Sequence, residues 1–211
     1  MQDHSVMLMK LERKSWEKFY RMHENPWKGK NEIPDIYDLL NKGSLILDAG
    51  SGTGKSSLSY EKDFKIILLD FSMNSLRNSS LATEKILGDV TELPFKDDTF
   101  DAVIAFHILD HILMDKRKIA IQELFRVLKK KGYIFALSFS TEDFRYGKGN
   151  EIEKNTFLRG NGIFTHYFEE EEFLNLFNNF KIIKFEKRLI KRLILKKSYN
   201  MVNLFTVGIK I

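Results

Sequence analysis

The sequence predicts an α/β protein built on a doubly wound sheet, with five parallel strands, a C-terminal antiparallel strand pair, and helices on both faces. Three observations predict it. Short apolar runs recur along the first two thirds of the chain, each long enough for a strand and too short for a helix. The stretches between them carry helix caps and apolar spacing of helical period, which buries the strands under helices on both sides. After Ser140 this alternation stops, and the chain closes with two strand-like runs near enough in sequence to pair antiparallel.

Taken in order, residues from Ser5 to Tyr20 read as a helix with Val6, Met9, Arg13, Trp16 and Tyr20 on one face. The stretch HENPWKGKNEIP breaks it at Pro26 and Pro34, and a short helix, DIYDLLNK, stops at Gly43. SLILD (44–48) is the first strand, and Gly50 to about Tyr60 leaves room for a turn and a short helix. FKIILLD (64–70) follows, then MNSLRNSS capped by Ser72. KILGD (85–89) and FDAVIAFHIL (100–109) are the third and fourth strands. Asp115 caps a helix whose stripe is Ile121, Leu124, Phe125 and Leu128, ending at Lys129-Lys130-Lys131-Gly132 with cations on the negative end of the dipole. YIFALSF (133–139) is the fifth strand. Residues 141–166 are polar and glycine-bearing with no period. EEEEFLNLFNNF reads as a helix with acids in its first turn, and KIIKFEKRLI and MVNLFTVGIKI as the terminal pair.

The 211 residues suit a single domain, and 43% hydrophobic residues with 18 Phe supply its core. No run approaches the ~18 apolar residues of a membrane span. The start, MQDHSVMLMKLERK, has no signal-peptide pattern. With no Cys, disulfides, thiolate zinc sites and thiol catalysis are excluded, and the composition suits a reducing cytoplasm. A net charge of +5 is compatible with an anionic partner such as RNA, or with a lysine-rich solvated surface.

The stretch ILDAGSGTGKSS (46–57) admits two readings. From Ala49 to Ser56 it approximates a phosphate-binding loop with Ala in the first glycine position; from Asp48 to Gly54 it is D-x-G-x-G-x-G, a turn that receives a nucleoside. Ligands of doubly wound sheets sit beyond the carboxyl ends of the strands, and here those ends carry Asp48, Asp70, Asp89 and the group His107, Asp110, His111. Three carboxylates around one crevice repel a triphosphate and suit ribose hydroxyls, an adenine amine, an ammonium and a sulfonium. Asp70 stands about 20 residues past the glycines, the spacing of a ribose-binding acid. Asp48 directly before the loop opposes an anion, so the nucleoside reading prevails and Lys55 is a polar residue opening the next helix.

Four motifs in order resemble those of class I S-adenosylmethionine-dependent methyltransferases, a Rossmann-like family, and more narrowly those of the type 11 group. ILDAGSGTG resembles the first motif and IILLDFSMNSL the second. GDVTELPFKDDTFDAVIAFHILDHI resembles the third and fourth, and ELFRVLKKKGYIFALSF the helix and strand that follow. The resemblance implies that the chain binds S-adenosylmethionine, releases S-adenosylhomocysteine and transfers a methyl group to an acceptor. It implies that Gly50, Gly52 and Gly54 turn beneath the methionine part, and that Asp48 anchors this turn near the ligand's amino group. Asp70 would accept the ribose hydroxyls, Asp89 would face the adenine amine beside the Val90 N–H, and Phe106 or His107 would lie near the methionine moiety. Residues 1–43 are then an N-terminal helical segment and candidate lid, and 44–211 the cofactor-binding domain. Asp101 is read as structural.

Methyl transfer needs a base only if the acceptor must lose a proton. His107 and Asp110 are the candidates; His111, His166 and Tyr167 are further ones. SWEKFYRMHENPW faintly resembles the opening of tellurite-resistance and thiopurine methyltransferases, which makes Tyr20 and Trp27 lid candidates. Lys181 to Lys197 holds eight cations against the single acid Glu186, without a one-face stripe. An RNA acceptor would explain that segment; a small-molecule acceptor, which is slightly favoured, would explain the lid. A non-catalytic cofactor-binding subunit is the remaining alternative.

Overall fold

The apolar runs pair as the sequence predicts. In the computed structural model, which describes residues 2–24, 26, 36–194 and 196–211, a seven-stranded sheet has the order β3-β2-β1-β4-β5-β10-β9. Strands β1 (Leu45–Ala49), β2 (Lys65–Asp70), β3 (Glu84–Leu87), β4 (Phe100–Phe106) and β5 (Leu128–Phe139) are parallel. β10 (Lys197–Lys210) runs antiparallel to both β5 and β9 (Phe180–Ile194). The chain order reverses between β1 and β4, so a crevice opens where Ala49 and Phe106 end.

Alternate residues of each central strand serve opposite faces. Leu47, Val103 and Ile134 pack under α4 (Met114–Val127) and α5 (Glu170–Leu176) through Ile121, Leu124, Phe173 and Phe177. Ile46, Ile104 and Phe135 pack on the other face with α2 (Ile36–Leu39), Tyr60, Phe64 and Leu76 of α3 (Met73–Asn78). Ser72 caps α3 by accepting the Ser75 N–H, as its position implies. Helix α1 (Gln2–Met22) adds a third cluster, Trp16 and Tyr20 against Ile163. Its buried line runs through Glu12, Trp16 and Tyr20, while Arg13 is exposed.

Four local expectations are corrected. The stretch after Gly50 is a succession of turns rather than a helix. Asp115 is not the cap of α4: the helix begins one residue earlier, and the Met114 N–H donates to the Glu153 carboxylate, 3.1 Å away, a partner from a distant segment. The lysines do not end α4, because buried Leu128 already pairs with Phe100 and the chain is in β5 from there. Gly132 is a glycine for a different reason than a helix cap: a Cβ there would stand 2.8 Å from the Lys129 carbonyl oxygen and 3.0 Å from that of Asp101.

The fourth correction concerns residues 141–166, which hold a small antiparallel sheet of β6 (Asn150–Glu153), β7 (Thr156–Leu158) and β8 (Phe164–His166). Strands this short leave no readable alternation. Arg117 on α4 joins this sheet to the main body. Buried at 2% exposure, it donates to the Ile112 carbonyl at 2.8 Å and to Thr156 Oγ1 at 3.2 Å, and pairs with Glu153 and Glu172. Replacing Arg117 with Ala should cost about 2–3 kcal/mol in urea unfolding, since buried charge-assisted hydrogen bonds are lost. Limited proteolysis should then cut first within 150–166. Unchanged unfolding would refute the anchoring role.

Candidate functional site

Beyond the carboxyl ends of the parallel strands lies a cavity of about 1870 Å³. That exceeds the ~1,000 Å³ upper range of sites for one ligand, so there is room for two reactants together. Its wall includes Gly50, Ser51 and Gly52 after β1, Asp70 of β2, Asp89 and Val90 after β3, and Phe106 and His107 at the end of β4; Tyr20 of α1 joins them. The structure therefore brings most of the sequence-predicted residues around one space.

The glycine turn is tied to β2. Asp70 is 5% exposed; its Oδ2 accepts the Gly52 N–H and its Oδ1 the Ser72 N–H, both at 2.8 Å. A carboxylate has about four lone-pair sites; with the Ser75 hydroxyl also beside this one, acceptor capacity still remains for a ligand. The Gly52 N–H is thereby unavailable to a phosphate, which disposes of the phosphate-loop reading. Gly52 has φ +55, and a Cβ there would meet the Tyr20 hydroxyl at 2.5 Å. Glycine keeps turn and α1 in close approach.

Asp48 and Gly54 stand outside the cavity lining. Asp48 is 2% exposed behind the turn, where its Oδ2 accepts the Ser57 hydroxyl at 2.6 Å. Burial pushes its carboxyl up to about 7, with nearby Asp70 adding to the effect. A Cβ on Gly54 would strike Leu81 and Leu68. Both residues shape the turn from behind.

At the end of β4, His107 holds the left-handed φ of 60°, uncommon for a residue with a Cβ. Its N–H donates to the Leu137 carbonyl at 2.7 Å, and its ring stacks on Phe139 at 4.1 Å. Nδ1 donates to Asp110 Oδ2 at 2.7 Å. Asp110 is fully buried, outside the lining, and its Oδ1 accepts the Phe139 N–H at 3.1 Å. With Nδ1–H so engaged, Nε2 is the acceptor atom of the ring. His111 also lines the cavity, edge-on to Trp16 at 4.9 Å, with Nδ1 donating to the Phe164 carbonyl; burial lowers its pKa and keeps it neutral. His166, the last residue of β8, and Tyr167 after it are both buried and are not among the lining residues of the cavity. Trp27 lies outside the described residues. Asp101 is structural: its Oδ2 accepts the Leu45 N–H and its Oδ1 pairs with Lys129.

Sequence reasoning missed Glu12. It lines the cavity at 6% exposure, its Oε1 has no hydrogen-bond partner, and burial, with a contribution from Asp89, raises its pKa well above the ordinary value. The available signal was its spacing, one helical turn from Trp16 and two from Tyr20. Among the described residues no cluster of His, Asp and Glu could hold a metal ion, and no helix is long and apolar enough to cross a membrane.

The comparisons agree with this geometry. Residues 47–136 match the family model described as a methyltransferase domain. A tRNA (carboxymethyluridine(34)-5-O)-methyltransferase of Xenopus tropicalis is 32% identical over 148 residues, 67% of this chain and 22% of that protein. A demethylmenaquinone methyltransferase of Thermobifida fusca is 33% identical over 142 residues, 52% of this chain and 59% of that protein. The chain thus spans between 22% and 59% of the length of these two relatives. A 1,6-didemethyltoxoflavin-N1-methyltransferase structure from Burkholderia thailandensis, solved with 1,6-didemethyltoxoflavin and S-adenosylhomocysteine, gives a TM-score of 0.74 at 14% identity. That match covers 98% of this chain and 90% of the other.

Burial of Asp48 has a consequence for stability. The folded chain holds a proton that the unfolded chain, with a carboxyl near 3.8, has released. Its contribution is therefore complete below pH 3.8 and fades as pH rises through about 7. Asp48→Asn, which keeps an acceptor for Ser57, should remove this slope, so that its Tm gains on the native protein's between about pH 4 and 7. Parallel Tm curves would show that Asp48 is ionised throughout.

Proposed function

We propose that this chain, whose residues 47–136 match a methyltransferase domain and whose sheet has the class I Rossmann-like order, binds S-adenosylmethionine and methylates a small-molecule acceptor. The single observation that carries the reading is Asp70. Its carboxylate is fixed by two backbone N–H groups, with the Ser75 hydroxyl beside it, and its remaining acceptor capacity at the cavity wall suits ribose hydroxyls. Asp89, the Val90 N–H and the unpartnered Glu12 oxygen suit an adenine ring and its amine. The close approach of Gly50 and Gly52 to Ile108 and Tyr20 leaves backbone facing the methionine part. When bound, S-adenosylmethionine supplies an electrophilic methyl group on a sulfonium.

The chain's own residues contribute orientation, exclusion of water and a base. His107 Nε2 is the atom that takes a proton from the acceptor nucleophile, while Asp110 holds the ring in the required tautomer from behind. Asp110 is in this sense a positioning residue. Helix α1, with Tyr20 and Trp16 over the glycine turn, covers one side of the cavity and serves as the lid of the N-terminal segment. An RNA acceptor is the second reading, favoured by the relative acting on tRNA and by the cations of Lys181–Lys197. We place the protein in the cytoplasm, in keeping with its lack of Cys.

Calorimetry tests the cofactor. S-adenosylmethionine and S-adenosylhomocysteine should both bind in the micromolar range, and Asp70→Ala should weaken binding at least tenfold. Absence of binding by either compound would overturn the reading. His107→Gln should leave S-adenosylhomocysteine binding within about twofold while lowering methyl transfer about 10²–10⁴-fold. Transfer would be followed with labelled cofactor against extracts of metabolites and RNA. Equal transfer by His107→Gln would show that the acceptor needs no base from this residue.

A further inference from the structure

The charges around the cavity are segregated in a way that the cofactor does not explain. Asp70 and Asp89 stand at the ends of β2 and β3, and α1 and α4 present both signs at the rim through Lys10, Arg13, Lys116, Glu12 and Asp115. The wall built by the end of β5, the segment after it, and strands β9 and β10 is different: its charged lining residues are Arg145, Arg188 and Arg192, with no carboxylate.

Arg145 and Arg188 are held, not loose. Arg145 donates from Nε and Nη2 to the two oxygens of buried Asp143, at 2.7 and 2.8 Å, and its guanidinium lies 4.1 Å from the centroid of Phe139, the ring on which His107 stacks. Arg188 lies 3.5 Å over the Phe205 ring with Nε donating to Glu186 at 2.6 Å, and its Nη2 has no hydrogen-bond partner. Opposite Arg188 across the β9–β10 ladder is Asn203, 4% exposed and lining the cavity, whose Oδ1 is also unpartnered. Arg192, exposed, donates from Nη1 to the thioether of Met201 at 3.7 Å. Lys55 lines the same cavity; burial, and after it the nearby Arg192, lower its pKa.

Buried polar groups of a native protein are normally satisfied. A guanidinium presents planar donors that match a carboxylate or phosphate. We propose that the methyl acceptor is a small molecule carrying an anionic group, a carboxylate or phosphate, received by Arg145, Arg188 and Arg192 on the β5–β10–β9 wall, with Asn203 accepting a donor of the same molecule. The proposal rests on the reading of the cavity as a methyltransferase site. Binding there puts the body of the acceptor beside Phe139 and hence beside His107, between the arginines and the glycine turn. Two other cations of the basic run are engaged with acids: Lys187 is paired with Glu142 and Glu170, and Lys184 with Glu186.

The test uses the full chain saturated with S-adenosylhomocysteine, whose own binding is measured first in every variant and reports separately on the cofactor reading. Phenyl phosphate and benzoate are then titrated by ligand-observed NMR against neutral benzamide. The two anions should bind in the loaded protein and benzamide at least tenfold more weakly. Arg188→Gln and Arg192→Gln should each weaken anion binding at least fivefold, with S-adenosylhomocysteine affinity unchanged. Asn203→Ala, a milder change, should weaken it less. Equal binding of benzamide and benzoate, or anion binding indifferent to both arginine variants, would overturn the proposal. So would tight, steeply salt-dependent tRNA binding lost in Lys181→Glu/Lys191→Glu but kept in Arg188→Gln, since that places the anion contacts on the outer strand.

Discussion

Nearly everything in the site depends on one buried carboxylate. Asp70 ends β2, and its two oxygens take the N–H of Gly52 from the neighbouring turn and the N–H of Ser72 at the start of α3. Two crossover connections are thereby pinned to the same point, one strand away from the place where the strand order turns back. The arrangement works because the donors are backbone groups that would otherwise be unsatisfied in a dry region. Burial raises the pKa of Asp70 while the two backbone bonds pull it down, and this balance is what a ligand with hydroxyl donors would shift toward the ionised form.

A second constraint acts at the end of β4. The positive φ of His107 turns its side chain out of the strand direction, and Asp110, three residues on and fully buried, collects the imidazole and the Phe139 N–H together. Strand β5 and the loop after β4 are therefore joined through one carboxylate. Backbone strain of this kind costs on the order of 1–3 kcal/mol and persists where its surroundings fix it; here the fixing partners are the Leu137 carbonyl, the Phe139 ring and Asp110.

The parts that were legible in the sequence share a property: their physics is local. The glycine turn, Asp70, the cap at Ser72 and the continuous apolar strands are each specified by a few adjacent residues, and each is found where the sequence placed it. What escaped depends on segments that meet only in the fold. Glu12 looks like a solvent-facing acid until α1 docks over the cavity. Asp48 precedes the glycines directly, yet the turn carries the chain over it and leaves the carboxyl with Ser57. The cap of α4 comes from Glu153, 39 residues away, so no pattern near Asp115 could announce it. The strands β6, β7 and β8 are three or four residues each, below the length at which alternation can be told from chance.

The position of β9 gives the basic run of the sequence another meaning. β9 is the outermost strand of the seven-stranded sheet, fifteen residues long, while the opposite edge, β3, has four. An open strand of that length is a template on which a second chain could add its own. Along β9, exposed Leu189, Ile190 and Leu193 would make such a template adhesive, but Lys187, Arg188, Lys191 and Arg192 are interleaved with them. Two copies meeting edge to edge would bring both sets of cations together in a region being stripped of water. The lysine and arginine content that first suggests a nucleic acid thus also sets charge along a long open sheet edge, a feature that opposes strand-to-strand addition.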